Sequence, residues 1–115
     1  MELIKYIDSN YNYIAIFTNF DGLEHTDLRR RNLSLDKEGY TGNWVIAKTR
    51  DIEKIILYLR EDGINKVYLA DYNYREQIEG RRSRIYFKNL KFIENTTANW
   101  TEFANTQSPI RYIDK

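Results

Sequence analysis

The sequence predicts an α+β fold that is predominantly β: a small curved sheet or barrel with one or two short helices. Tyrosine usage points there first, with ten tyrosines in 115 residues and one proline, because tyrosine and β-branched side chains suit a pleated, half-buried surface. The apolar residues also fall in short runs, many of period two, bounded by Gly, Asn, Asp and Ser. A chain of this length with 42% hydrophobic residues holds one real core and is too short for two domains. Many short strands with few helices then favour a barrel or a strongly curved sheet.

Residues 1–18 read as an N-terminal hairpin. LIKYI (Leu3 to Ile7) and YNYIAIF (Tyr11 to Phe17) are its strands, and Asp8-Ser9-Asn10 supplies turn chemistry. The second strand alternates, with Tyr11, Tyr13, Ala15 and Phe17 on one side and Ile14 and Ile16 on the other. Residues 19–42 are polar, contain three glycines, the Arg29-Arg30-Arg31 run and the single His25, and read as a long loop with a helical turn around Thr26 to Arg31. Loops of that length are usually functional or mobile.

Residues 43–113 form the barrel-like core. TRDIEKIILYLREDGINKVYLADY allows two readings. Ile52, Ile55, Ile56 and Leu59 have helical spacing, with Thr49 or Asp51 as N-cap and Gly63 past the end. Alternatively IILYLR and NKVYLADY are strands flanking an Asp62-Gly63 turn. One helical turn at Asp51 to Lys54 followed by a strand is favoured. RIYFKNLKFIE is a strand, or strand pair, bent near Asn89. WTEFA is a short helix behind a cap region at Thr97 to Asn99, and IRYI is a closing strand.

Charge is balanced, at 18 basic against 17 acidic residues, so any electrostatic function depends on distribution. From Met1 to Asp27 the only basic side chain is Lys5, whereas Arg75, Arg81, Arg82, Arg84, Lys88 and Lys91 face only Glu76 and Glu79 between Arg75 and Lys91. The two ends either create a local field or pair with each other. With no cysteine and one histidine, disulfides, thiolate chemistry and histidine-rich metal sites are excluded, and neither metal nor cofactor is expected. No nucleophile–base pair or glycine-rich phosphate loop stands out, and Asp62 and Asp71 read as turn and strand-end residues, so the chain is not expected to be an enzyme. No export signal or spanning segment is evident, making the cytoplasm the expected location.

The remaining signal is aromatic rings beside cations: Trp44, Tyr72, Tyr74 and Trp100, with Asp71 at an exposed turn and Arg81, Arg82 and Arg84 downstream. A base stacked on such a ring gains about 1–3 kcal/mol, and nearby cations reach phosphate. Tryptophans in a domain this small are commonly core residues instead. Period two across RRSRIYFKNLKF sends Ile85 and Phe87 inward and Tyr86 and Lys88 outward.

GNWVIAKTRDIEKIILYLRE, KVYLADYNY, RSRIYFKNLKFIE, NWTEF and PIRYI together resemble the small barrel domains of the PUA-like group over Gly42 to Ile113. That group includes ASCH, EVE, YTH and SRA-type modified-base readers, some of them in restriction enzymes and other bacterial defence proteins. The resemblance implies a curved barrel that takes a base in an aromatic cleft, lined by Trp44 and the Asp71-Tyr72 turn, with Arg81, Arg82 and Arg84 on phosphates. Met1 to Thr41 has no counterpart in it. The function so implied is a DNA- or RNA-binding module reading a modified or extruded base, partnered by a nuclease or other defence protein. The alternative is a small phage or mobile-element protein that inhibits a host defence protein by direct contact, since tyrosine and arginine also dominate protein interfaces.

Overall fold

The computed structural model describes residues 1–19, 23–24, 39–47, 49–61 and 63–115. Its strands are β1 (Tyr13–Asn19), β2 (Leu23–Glu24), β3 (Gly39–Val45), β4 (Lys54–Glu61), β5 (Ile64–Glu79), β6 (Arg82–Thr96) and β7 (Ile110–Ile113). They form one sheet in the order β2-β3-β6-β5-β4-β1-β7. The sheet is mixed, because β1 runs parallel to β4 while every other pairing is antiparallel. It curves without closing, so the expected barrel is an open sheet ending in β2 on one side and β7 on the other.

The apolar run of β4 explains its place. Ile55, Ile56, Leu57, Tyr58 and Leu59 are each at most 1% exposed, and five consecutive buried residues suit a strand covered on both faces, not an amphipathic helix with one wet side. The strand favoured after Asp51 to Lys54 is thus present as β4 and pairs with β5 as a hairpin, while the helical turn expected at Asp51 to Lys54 is an irregular link that enters β4 at Lys54. Gly63 sits at φ 76° between β4 and β5, a conformation glycine adopts without penalty. Asp62 lies outside the described residues.

The N-terminal hairpin is also corrected. Glu2–Tyr6 forms a short 3-10 helix, and both edges of β1 are already occupied by β4 and β7. LIKYI instead buries Leu3 and leaves Ile4 exposed. The polar segment 19–42, expected as a loop, ends β1 at Asn19, contains β2 at Leu23–Glu24 and runs into β3 at Gly39–Val45. The helical turn proposed at Thr26 to Arg31, and His25, lie outside the described residues.

Each face has its own core. The inner face gathers Ile14, Ile16, Ile55, Leu57, Leu59, Ala70, Ile85, Phe87 and Leu90, together with Ile46 and Ile52 from the segment that crosses between β3 and β4. On the outer face Tyr13, Ala15, Ile56, Tyr58 and Val67 pack under Leu3 and under Trp100, Phe103 and Ala104 of α1 (Trp100–Ala104). This helix forms where WTEFA predicted it. Asn99 Oδ1 accepts from the Glu102 amide at 2.9 Å and its Nδ2 donates to Glu102 Oε1 at 2.8 Å, a reciprocal N-terminal cap. Asn105 ends the helix at φ 53°. The expected bend in β6 is at Asn89, at φ 55°, and β5 and β6 shift register four times along their length. Each such bulge adds twist and bends the pair. Among the described residues no helix is long and apolar enough to cross a membrane.

Trp100 meets Phe17, Tyr58 and Phe103 at centroid separations of 5.4–6.0 Å. Trp100→Ala should therefore cost about 3–5 kcal/mol of stability in a denaturant titration. Asn99→Ala, which removes only the cap, should cost about 1 kcal/mol.

Candidate functional site

β4 begins where Lys54 pairs with Asp71, so β5 extends beyond β4 from Tyr72 onward and keeps only β6 as a strand partner. β6 in turn pairs with β3 along this stretch. The alternation expected for RIYFK is present: Ser83, Ile85 and Phe87 are buried, Arg84 and Tyr86 are half-buried and Lys88 is exposed on the outer side.

That outer side carries a row of three tyrosines. Tyr86 is the cross-strand partner of Tyr74 on β5 and of Tyr40 on β3. The Tyr74 and Tyr86 rings stack at 4.3 Å with an 11° interplanar angle, and Tyr40 lies 5.0 Å from Tyr86, tilted by 43°. Cross-strand aromatic pairs of this kind stabilise the sheet by about 0.5–1.5 kcal/mol beyond their burial. Tyr74 keeps 49% of its surface exposed.

Arg84 completes the row, its guanidinium 4.9 Å from the Tyr40 ring and 3.7 Å from Glu76. Its hydrogen bond to Tyr86, followed by the nearby Tyr40, Tyr86 and Glu76, raises its pKa further. Gly42 allows this arrangement, because a Cβ there would stand 2.9 Å from Arg84 Cγ.

Between the row and the helix-covered core lies a polar belt. Lys54 Nζ donates to Asp71 Oδ1 at 2.7 Å, Asn89 Nδ2 donates to Asp71 Oδ2 at 2.8 Å, and Lys54 sits 4.7 Å over the Tyr11 ring. A groove of about 390 Å³ opens over these groups, reaching Lys91. Lys88 and Lys91 are exposed and form no salt bridge among the described residues.

The residues singled out from sequence do not converge on one cleft. Tyr72 and Tyr74 belong to a long strand, not an exposed turn, and the register shift between them turns Tyr72 inward and Tyr74 outward. Asp71, facing Lys54 on the outer side, therefore does not share a cleft with Tyr72, which packs with Trp44 against the inner core. The Trp44 indole donates to Thr41 Oγ1 at 3.2 Å. Trp100 is 7% exposed and donates to the Ser108 carbonyl at 2.7 Å, so it is a core residue and not a stacking platform.

The three arginines also separate. Arg81 lies in the turn and faces an inner groove, Arg82 is exposed opposite Val45 and Glu79, and Arg84 joins the outer row. Only Tyr74 and Arg84 of the eight share the tyrosine row. Tyr40 was missed because it falls in the segment read as loop. Period two places Tyr86 outward, but only its strand neighbours make it part of a stack.

Comparison with known proteins finds no match to a family model, a curated protein or a solved structure.

Lys54, and after it Asn89, hold the Asp71 carboxyl below the usual carboxylate range. A depressed carboxyl stabilises the fold above its ordinary pKa of about 3.9, and this contribution disappears as pH falls through the folded value. Asp71→Asn should therefore be less stable than the parent at neutral pH. The gap should close as both are titrated into acid below about pH 4, followed by thermal melts across pH.

Proposed function

We propose that this chain is a nucleic-acid-binding module that takes unpaired bases of DNA or RNA against the Tyr40–Tyr86–Tyr74 row. The observation that carries the proposal is the stacked, part-exposed Tyr74–Tyr86 pair, with Arg84 and Lys88 flanking Tyr86 on the same strand face. Successive residues on one strand face are about 6–7 Å apart. Arg84 and Lys88 can thus bracket a base with cations for its adjoining phosphates. An aromatic row on a sheet reaches bases only when they are unstacked, which favours single-stranded over duplex substrate.

The resemblance to PUA-like readers agrees with a binding role, as opposed to catalysis. A modified or extruded base and a place in a restriction or defence system come into the proposal from that resemblance, and the proposal takes the cytoplasm as the place of action. A second reading, direct contact with a host defence protein, is favoured by Val45 and Ile78 near the same hairpin end, 55% and 38% exposed.

Fluorescence anisotropy with short single-stranded DNA and RNA, and with their duplexes, tests this. Tyr74→Ala should weaken single-strand binding about fivefold to 150-fold, the equivalent of one base left unstacked, while Tyr86→Phe retains it. Arg84→Ala with Lys88→Ala should reduce the salt dependence by about 0.7 in slope for each phosphate no longer neutralised. A parent protein that binds no nucleic acid at low salt removes the proposal and leaves protein contact as the better reading.

A further inference from the structure

The inner side of the same hairpin holds a groove of about 750 Å³, between the Gly80 turn and the segment leaving β3. Its volume lies within the usual range for small-molecule sites, about 300–1,000 Å³. Arg75, Gln77, Arg81 and Ser83 supply its polar wall, Val45 and Ile46 its apolar wall, and no carboxylate side chain lines it among the described residues.

Arg75 is half-buried, and its guanidinium donates to the carbonyls of Ala47, at 3.4 Å, and Arg50. Those neutral acceptors fix its position without cancelling its charge, and no salt bridge reaches it among the described residues. Arg81 is exposed on the turn and likewise has no carboxylate partner among them. Ser83 is 7% exposed, lines the groove and makes no side-chain hydrogen bond to another described residue. Its hydroxyl opens onto the groove and is therefore available to donate to or accept from a ligand there.

We infer that the inner groove is a separate ligand site that takes a phosphomonoester of nucleotide size. A phosphomonoester carries about two negative charges and three acceptor oxygens. Two guanidinium groups and a hydroxyl match it in both respects, while a carboxylate would use only part of the set. The organic body of the ligand lies against Val45 and Ile46. Its source is either a free mononucleotide or the terminal phosphate of a strand. The site stands apart from the tyrosine row, because Arg75, Gln77 and Ser83 face the opposite side of the sheet from Tyr74, Arg84 and Tyr86.

Calorimetric titration of the intact chain with adenosine 5′-monophosphate, adenosine and inorganic phosphate tests the inference, alongside short single strands with and without a 5′-phosphate. The monophosphate should bind and adenosine should bind at least about tenfold more weakly, as expected when charge-assisted hydrogen bonds are absent. Arg81→Ala, on an exposed turn, should weaken the monophosphate by a similar factor, Ser83→Ala should also weaken it, and Tyr74→Ala should leave it unchanged. A preference for the 5′-phosphorylated strand that disappears in Arg81→Ala assigns the site to strand ends, and equal binding of the two strands assigns it to free mononucleotide. Absence of monophosphate binding, equal affinity for adenosine, or an Arg81→Ala variant indistinguishable from the parent would overturn the inference. Because Tyr74→Ala reports on the other face, failure of the tyrosine row and failure of this groove are separately visible.

Discussion

Burial of β4 on both faces is the constraint from which the rest of the architecture follows. A strand reading Ile-Ile-Leu-Tyr-Leu leaves no side available to water, so each face of the sheet around it needs a cover. On the outer face the cover is the 3-10 helix and α1, which press Leu3, Trp100 and Phe103 onto Tyr58 and Ile56. On the inner face the sheet curls, and the connection between β3 and β4 lays Ile46 and Ile52 across it. Because β4 is short, neither cover has to extend far. β5 and β6 continue past its end, and their last turns emerge with aromatic and charged side chains where a core strand would carry aliphatic ones.

Asp71 stands at that boundary. It pairs with the first residue of β4 and takes a hydrogen bond from Asn89, the residue whose left-handed backbone bends β6. The ion pair is about one-third exposed on both partners, so it adds little to stability by Coulomb attraction alone. Its larger effect is geometric. It ties the start of β4 to the bend of β6, at the point where the β5–β6 hairpin leaves the covered sheet. The tyrosine row and the inner groove both depend on that hairpin, back to back across two strands.

The two surfaces differ in the physics that would hold a ligand. On the outer side three rings and a guanidinium make a π-rich strip, suited to flat partners and tolerant of their identity. The inner side has one guanidinium anchored by backbone carbonyls, a second on the exposed turn and a hydroxyl on the groove wall, suited to a compact anion. Register shifts in β5 distribute residues between these surfaces. Without the shift after Tyr72, the period of two would place Tyr72 and Tyr74 on one face.

The sequence alone determined the features whose causes are local. Turn residues and β-rich runs marked β1, β6 and β7, the Asn99–Glu102 cap marked α1, and period two separated Ile85 and Phe87 from Tyr86 and Lys88. Each of these depends on neighbours within a few residues. The partners were decided only by tertiary structure. LIKYI has strand-like composition but finds both edges of β1 taken, and the helical spacing that competes with a strand at IILYL is overridden because two faces need filling at once. Tyr40 reaches Tyr86 across 46 positions of sequence, and Trp100 enters the core because α1 folds back over β4. Strand order and bulges act over such distances, and a single inserted residue reverses which face every later side chain meets. The composition of the candidate site was therefore legible in part, as tyrosines beside arginines, while its membership was set by pairings that no local pattern encodes.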